Sequence, residues 1–146
     1  MEFAGKRIYV SGVFDLFHYG HMKLINVCKL KFPGAEIVVG VHNDQDCAYY
    51  KRIPVMSHEE RVLTIRESGM VSEVLENAPL RESGKFYEEH CLDIIVHAHS
   101  QEEHEYYVSN FYEYAEEKGM LRRIDYTPSI SSTKIIGRLK KNIDTF

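Results

Sequence analysis

The sequence predicts an α/β fold: a Rossmann-like parallel sheet of about five strands flanked by helices. Three observations carry this. Short apolar runs such as residues 36–41 and 93–97 lack polar alternation, as strands buried on both faces do. These runs alternate with helical stretches and turn signals at the spacing of βαβ units. The first of them ends in a glycine-bearing loop that opens directly into a helix, the arrangement by which α/β proteins hold phosphate.

Taken in order, the first strand is Ile8-Tyr9-Val10, and it runs through Ser11-Gly12-Val13-Phe14-Asp15-Leu16-Phe17 into His18-Tyr19-Gly20-His21. A helix follows on Leu24, Ile25 and Cys28 and breaks at Phe32-Pro33-Gly34. Glu36-Ile37-Val38-Val39-Gly40-Val41 is the second strand, and residues 44–50 form a short helix or loop. Ser57-His58-Glu59-Glu60 is a capping box, with Ser57 as N-cap and Glu60 three residues on. The helix behind it carries Val62, Leu63 and Ile65. Residues 71–75 are a third strand, 83–91 a helix and 93–97 a fourth strand. Residues 102–118 read as one long helix with Tyr107, Phe111, Tyr114 and Ala115 on its inner face, ended by Gly119. Residues 121–126 are the fifth strand. Ser131 or Ser132 then caps a last helix that turns Ile135, Ile136 and Leu139 inward. Right-handed crossovers bring the loops bearing His18, His97 and Ser131 to one edge of the sheet.

At 146 residues the chain is expected to be a single domain, 1–146, large enough to bury a core. A net charge of −4 argues against a nucleic-acid surface. No apolar run of about 18 residues is present to span a membrane. Met1-Glu2-Phe3-Ala4-Gly5-Lys6 has no apolar signal region, and Cys28, Cys47 and Cys91 show no paired spacing, so reduced thiols in the cytoplasm are expected.

The chemistry concentrates at His18 and His21. Loop amides and the positive end of a helix dipole converge there, and imidazoles add donors that answer the charge of a displaced phosphate. That reads as phosphoryl or nucleotidyl transfer. A pair of polar caps is the plainer reading, and a zinc pair fits less well because helical histidine ligands are better known at i,i+4. Asp15 caps the loop or orients a histidine. In Ile130-Ser131-Ser132-Thr133 three consecutive hydroxyls and free amides make a phosphate cradle, although a plain N-cap needs only one of them. His97, His99 and His104 have a spacing open to zinc, but His97 reads better as the end of a buried strand, with His99 and His104 at the surface among glutamates. Lys51 alone reads as a solvated loop residue. The Tyr112 ring suits a quaternary ammonium, while Tyr107, Phe111 and Tyr114 read as core.

Gly12-Val13-Phe14-Asp15 followed by His18-Tyr19-Gly20-His21 resembles the HxGH signature of the nucleotidyltransferase superfamily. More closely it is similar to the GxFDxxHxGH run of the cytidylyltransferases that make CDP-choline, CDP-ethanolamine or CDP-glycerol. The likeness extends from Arg7 to Leu139. It implies CTP-dependent transfer of a cytidylyl group to a phospho-alcohol in phospholipid biosynthesis, phosphocholine first, with release of pyrophosphate. Phosphoethanolamine is the alternative acceptor, and a catalytically degenerate homologue binding nucleotide or a partner subunit is a third reading. By this resemblance His18, His21 and Lys51 are catalytic. Gly12, Val13, Phe14 and His97 join the histidines around the nucleotide. Ile130, Ser131, Ser132 and Thr133 hold its β- and γ-phosphates, and Ser11, Lys51, Arg61 and Tyr112 meet the acceptor. Magnesium accompanies CTP without an assigned protein ligand, and a homodimer is expected.

Several family positions differ. Ser11 stands where the family carries an aspartate near the acceptor's cation. Gly69 and Ser72 replace the arginine and aspartate of RYVDEV, and Leu80 replaces an aromatic. Ala98 and His99 replace acidic residues, while Tyr126 and Pro128 replace the arginine and glutamate of RTEGIST. A charge-assisted contact is worth roughly 1.5–3 kcal/mol, so losing two arginines lowers CTP affinity by orders of magnitude unless other cations substitute. Arg122 and Arg123 are the nearest candidates, although alternate strand residues face opposite sides.

Overall fold

The computed structural model describes residues 1–146. β1 (Arg7–Gly12), β2 (Glu36–Val41), β3 (Glu73–Leu75), β4 (Ile94–Ala98) and β5 (Leu121–Ile124) form one sheet in the order β3-β2-β1-β4-β5. Every pairing is parallel, with Val10 opposite Val39 on one side and Val96 on the other. The helices are α1 (Tyr19–Lys31), α2 (Asp44–Tyr50), α3 (His58–Ser68), α4 (Gly84–Glu89), α5 (His104–Tyr107), α6 (Glu113–Glu117) and α7 (Ser132–Lys141).

Strand alternation divides the core into two layers. Ile8, Val10, Ile37, Val39, Val41 and Val96 pack with Ile25, Cys28, Val62 and Ile65 of α1 and α3. Tyr9, Val38 and Ile95 face the other way, toward Tyr87, Tyr112 and Ala115. The capping box of α3 forms as expected: Ser57 Oγ accepts from the Glu60 amide, and the Glu60 carboxylate accepts from the Ser57 amide.

Three expectations are corrected. The helix over residues 102–118 is not continuous, because α5 passes into a π-helical turn, Val108–Tyr112, before α6. Its wider winding rotates Tyr112 inward and leaves Tyr114 exposed, and the Phe111 carbonyl instead accepts the Glu82 amide at 2.9 Å. Secondly, α7 buries none of its residues, and Leu139 is exposed. Its first turn is tied to the β1–α1 loop, with Ser132 Oγ donating to the Asp15 carbonyl at 2.6 Å, so the helix is not seated on the sheet. Thirdly, β3 and β5 are shorter than expected. The chain beyond β5 leaves the sheet to line a cavity.

Candidate active site

A cavity of about 770 Å³ opens at the carboxyl ends of β1, β4 and β5, where a parallel sheet reverses its direction of winding. Ser11, Val13, Phe14, His18, His21, Lys51, His97 and Ile130 to Thr133 all line it. Gly12, Arg61 and Tyr112 do not.

His18 is the N-cap of α1 in extended backbone, and its Nδ1 accepts from the Gly20 amide at 3.0 Å. His21 Nδ1 accepts in turn from the His18 amide at 3.2 Å. An imidazole nitrogen that accepts must leave the proton on its partner, so both rings carry Nε2–H. The rings stack with centroids 3.9 Å apart. A side chain at Gly20 would press on the His18 ring, 2.9 Å from an added Cβ, which explains the glycine between the histidines. Burial, then the neighbouring His18 and Lys51, lowers His21 to about 3. Burial also lowers His18. Both rings are therefore neutral donors.

Asp15 explains how Lys51 is presented. Phe14 and Leu16 on either side of it take left-handed backbone, with φ of 54° and 53°. The Asp15 carboxylate, only 1% exposed, accepts from the amides of Val55 and Met56 and from the Arg52 guanidinium. Burial opposes its charge, but the two amides and Arg52 outweigh it and hold the carboxyl below its ordinary value. The segment after α2 is thereby clamped to the histidine loop. Lys51 sits at the C-cap of α2, and its charge helps depress His21, His42 and His97.

Arg61 is fully buried and serves the frame. Its guanidinium donates to the carbonyls of Val13, His42 and Met56 and to Asp44, tying the ends of β1 and β2 to α3. This corrects the expectation that it meets the acceptor. Arg61→Lys cannot reproduce that fork. It is expected to lower stability by about 3 kcal/mol, read as the urea midpoint.

Ser131 is the N-cap of α7 and Ser132 bonds Asp15, so two of the three hydroxyls already have structural partners. The first amides of α7 remain at the cavity wall. Arg122 and Arg123 do not restore the missing charge: Arg122 donates to the Gly119 and Leu121 carbonyls, and Arg123 to the His99 carbonyl and Asp125. Lys23 and Arg52 line the cavity instead. A divalent cation finds no side-chain cage: no three His, Cys, Asp or Glu side chains are grouped to hold one, and the Asp15 oxygens are already engaged.

Sequence reasoning missed two features. Glu82, 3% exposed, accepts from Ser11 Oγ at 2.7 Å and from the Tyr87 hydroxyl at 2.8 Å. A carboxyl thus stands one hydrogen bond behind Ser11, with the Tyr112 hydroxyl 3.4 Å from that serine. Burial pushes Glu82 up to about 8. The second feature is His99, which is fully buried between His97 and His104 rather than at the surface.

These groups are expected to give the protein a bell-shaped stability profile. Burial lowers His21 and His97 to about 3, and His42 and His99 to about 4, from an ordinary 6.5. The unfolded chain then binds more protons, so stability present above 6.5 is lost as pH falls toward these values. Glu82 has the opposite sign. Its folded value exceeds the ordinary 4.5, so its contribution is lost as pH rises through about 8. The urea midpoint is expected to peak near pH 7 (roughly, by this linkage), and Glu82→Gln is expected to flatten only the alkaline side.

Residues 9–138 match the cytidylyltransferase-like family. The chain belongs to that family. Choline-phosphate cytidylyltransferase of Saccharomyces cerevisiae is 33% identical over 96% of this chain and 33% of its own length. Ethanolamine-phosphate cytidylyltransferase of Dictyostelium discoideum is 32% identical over 91% of this chain and 36% of its own length. The chain therefore spans about a third of these cytidylyltransferases. A solved lipopolysaccharide core biosynthesis protein from Thermoplasma volcanium superposes with a TM-score of 0.65 at 24% identity, over 83% of this chain and 97% of that one. That likeness shows the fold alone. No helix is long and apolar enough to cross a membrane.

Proposed function

We propose that this cytidylyltransferase-family protein transfers the cytidylyl group of CTP to a phosphorylated amino alcohol, phosphocholine first, releasing pyrophosphate. The observation that carries the reading is the pair of Nε2–H donors of His18 and His21 at the N-terminus of α1, in one cavity with Lys51 and the first turn of α7. An acceptor phosphate oxygen attacks the α-phosphorus in line with the departing pyrophosphate. That oxygen is already anionic, so no general base is needed. The two imidazole donors and the Lys51 ammonium lie where negative charge builds up, and the α7 amides suit the leaving phosphates. Magnesium, when it arrives with the triphosphate, neutralises part of its charge.

Glu82 supports an acceptor that carries a cation, because a cation bound near Ser11 would favour its ionised form and draw it down from about 8. It supplies, behind Ser11, the carboxyl that position 11 lacks. The same feature favours phosphoethanolamine as a second reading. Ser11 lines the cavity, and its hydroxyl, which donates to Glu82, keeps lone pairs that a primary ammonium can use and a quaternary one cannot, while Leu80 supplies no aromatic face. A homodimer acting in phospholipid biosynthesis belongs to the same proposal.

The test is pyrophosphate release from CTP and magnesium with phosphocholine, phosphoethanolamine or glycerol 3-phosphate. Release with either amino alcohol but not with glycerol 3-phosphate is the expected result. Absence of release with all three, while calorimetry still detects CTP, would replace this reading by a binding protein without turnover.

A further inference from the structure

Three imidazoles run in line from the cavity toward the surface. His97 on β4 lines the cavity, and its Nδ1 lies 2.8 Å from Nδ1 of His99. His99 is fully buried, and its Nε2 lies 2.8 Å from Nδ1 of His104. Nε2 of His104 lies 3.6 Å from Oε2 of Glu116, whose side chain is half exposed. Tyr107 stacks on His99 with centroids 5.0 Å apart and lies tilted against His97 at 4.6 Å. The transfer chemistry above gives His99 and His104 no part.

A neutral imidazole has one N–H and one lone pair, so the state of one nitrogen dictates the other. Each contact in the chain needs one N–H. With all three rings neutral, His99 uses both of its nitrogens, which leaves two arrangements. In the first, His97 Nδ1–H donates to His99, His99 Nε2–H donates to His104, and His104 Nε2–H faces the Glu116 carboxylate. In the second, every donor is reversed, and a neutral His104 turns a bare nitrogen toward that carboxylate. Lone pair against negative charge disfavours the second. Burial holds His97 near 3 and His99 near 4, both neutral at physiological pH, which is what this counting requires. The favoured arrangement leaves His97 with an unprotonated Nε2, and that nitrogen has no partner in the protein. Lys51 bears on the same ring as a positive charge, and a lone pair suits it.

We infer that the His97–His99–His104 chain, anchored on Glu116, makes His97 a hydrogen-bond acceptor for an N–H group of the bound ligand, with His99 and His104 as the positioning residues that set this selectivity. Two ligands of the proposed reaction carry such a group, the nucleobase amine of CTP and the ammonium of phosphoethanolamine. UTP has a carbonyl in place of that amine, with its N–H on the ring instead, and phosphocholine has no N–H. The choice of these ligands rests on the proposed function, whereas the tautomer does not.

Nitrogen-15 NMR of the full chain reads the tautomer directly. In the parent protein His97 is expected to carry its proton on Nδ1. In Glu116→Gln and His104→Ala, both changes toward the surface, the Nε2–H form is expected to rise to about half or more. An Nε2–H tautomer in the parent, or a ratio that neither variant moves, overturns the inference. The second readout is selectivity: the ratio of UTP to CTP Kd by calorimetry, and the ratio of kcat/KM for phosphoethanolamine to that for phosphocholine. One of these ratios is expected to fall about tenfold in His104→Ala. A fall in the first assigns the N–H to the base, and a fall in the second assigns it to the acceptor. A shifted tautomer with both ratios unchanged overturns the recognition role. If no acceptor supports turnover but the UTP/CTP ratio still falls, the proposed reaction fails and this inference stands.

Discussion

Replacing His18 by asparagine is expected to lower kcat by about a thousandfold while leaving the fold intact. Its Nδ1 caps α1 by accepting from the Gly20 amide, and asparagine is among the best residues at that task. What asparagine lacks is the Nε2–H that the imidazole carries into the cavity. His18→Ala removes the cap as well, so it is expected to add a stability loss of about 1 kcal/mol to the same kinetic loss. Steady-state pyrophosphate release and urea unfolding on both variants separate the two effects. A His18→Asn protein within tenfold of the parent kcat would remove this ring from the transition state.

Lys51→Met is expected to lower kcat by about a hundredfold to a thousandfold. The lysine ends α2, just before the segment that Asp15 clamps to the histidine loop, so the same contacts that shape the loop hold it at the cavity, where the proposed function has it meet the phosphate. A second readout follows from electrostatics. Lys51 is among the charges that depress His21, His42 and His97, so all three are expected to titrate higher in the variant. Histidine NMR titration measures this without turnover. A kcat within tenfold of the parent would take Lys51 out of the chemistry, and unmoved histidines would mean that the ammonium does not face them.

The sequence by itself determined what depends on short spacings. The strands were legible because apolar runs of their length have no other use between turn signals. The α3 capping box and the His18–Gly20–His21 cap at α1 were legible because their partners lie within three residues. The gathering of the loops bearing His18, His97 and Ser131 at one edge of the sheet followed from alternation of elements and the handedness of crossovers. Even the cavity wall at residues 130–133 could be placed, since it opens a helix on the same edge.

Only the tertiary structure decided what depends on partners far apart in the chain. Glu82 meets Ser11 across 71 residues, and Ser132 meets Asp15 across 117. Arg61 has the composition of a phosphate ligand, but three carbonyls and Asp44 take up its guanidinium. The π-turn at Val108–Tyr112 depends on an amide supplied by Glu82, so helical periodicity alone placed Tyr114 on the wrong side. His99 is polar and stands among polar neighbours in sequence, which read as surface. Its burial is tolerable because both ring nitrogens find imidazole partners, and a hydrogen bond satisfied at that distance leaves no periodic trace in the chain.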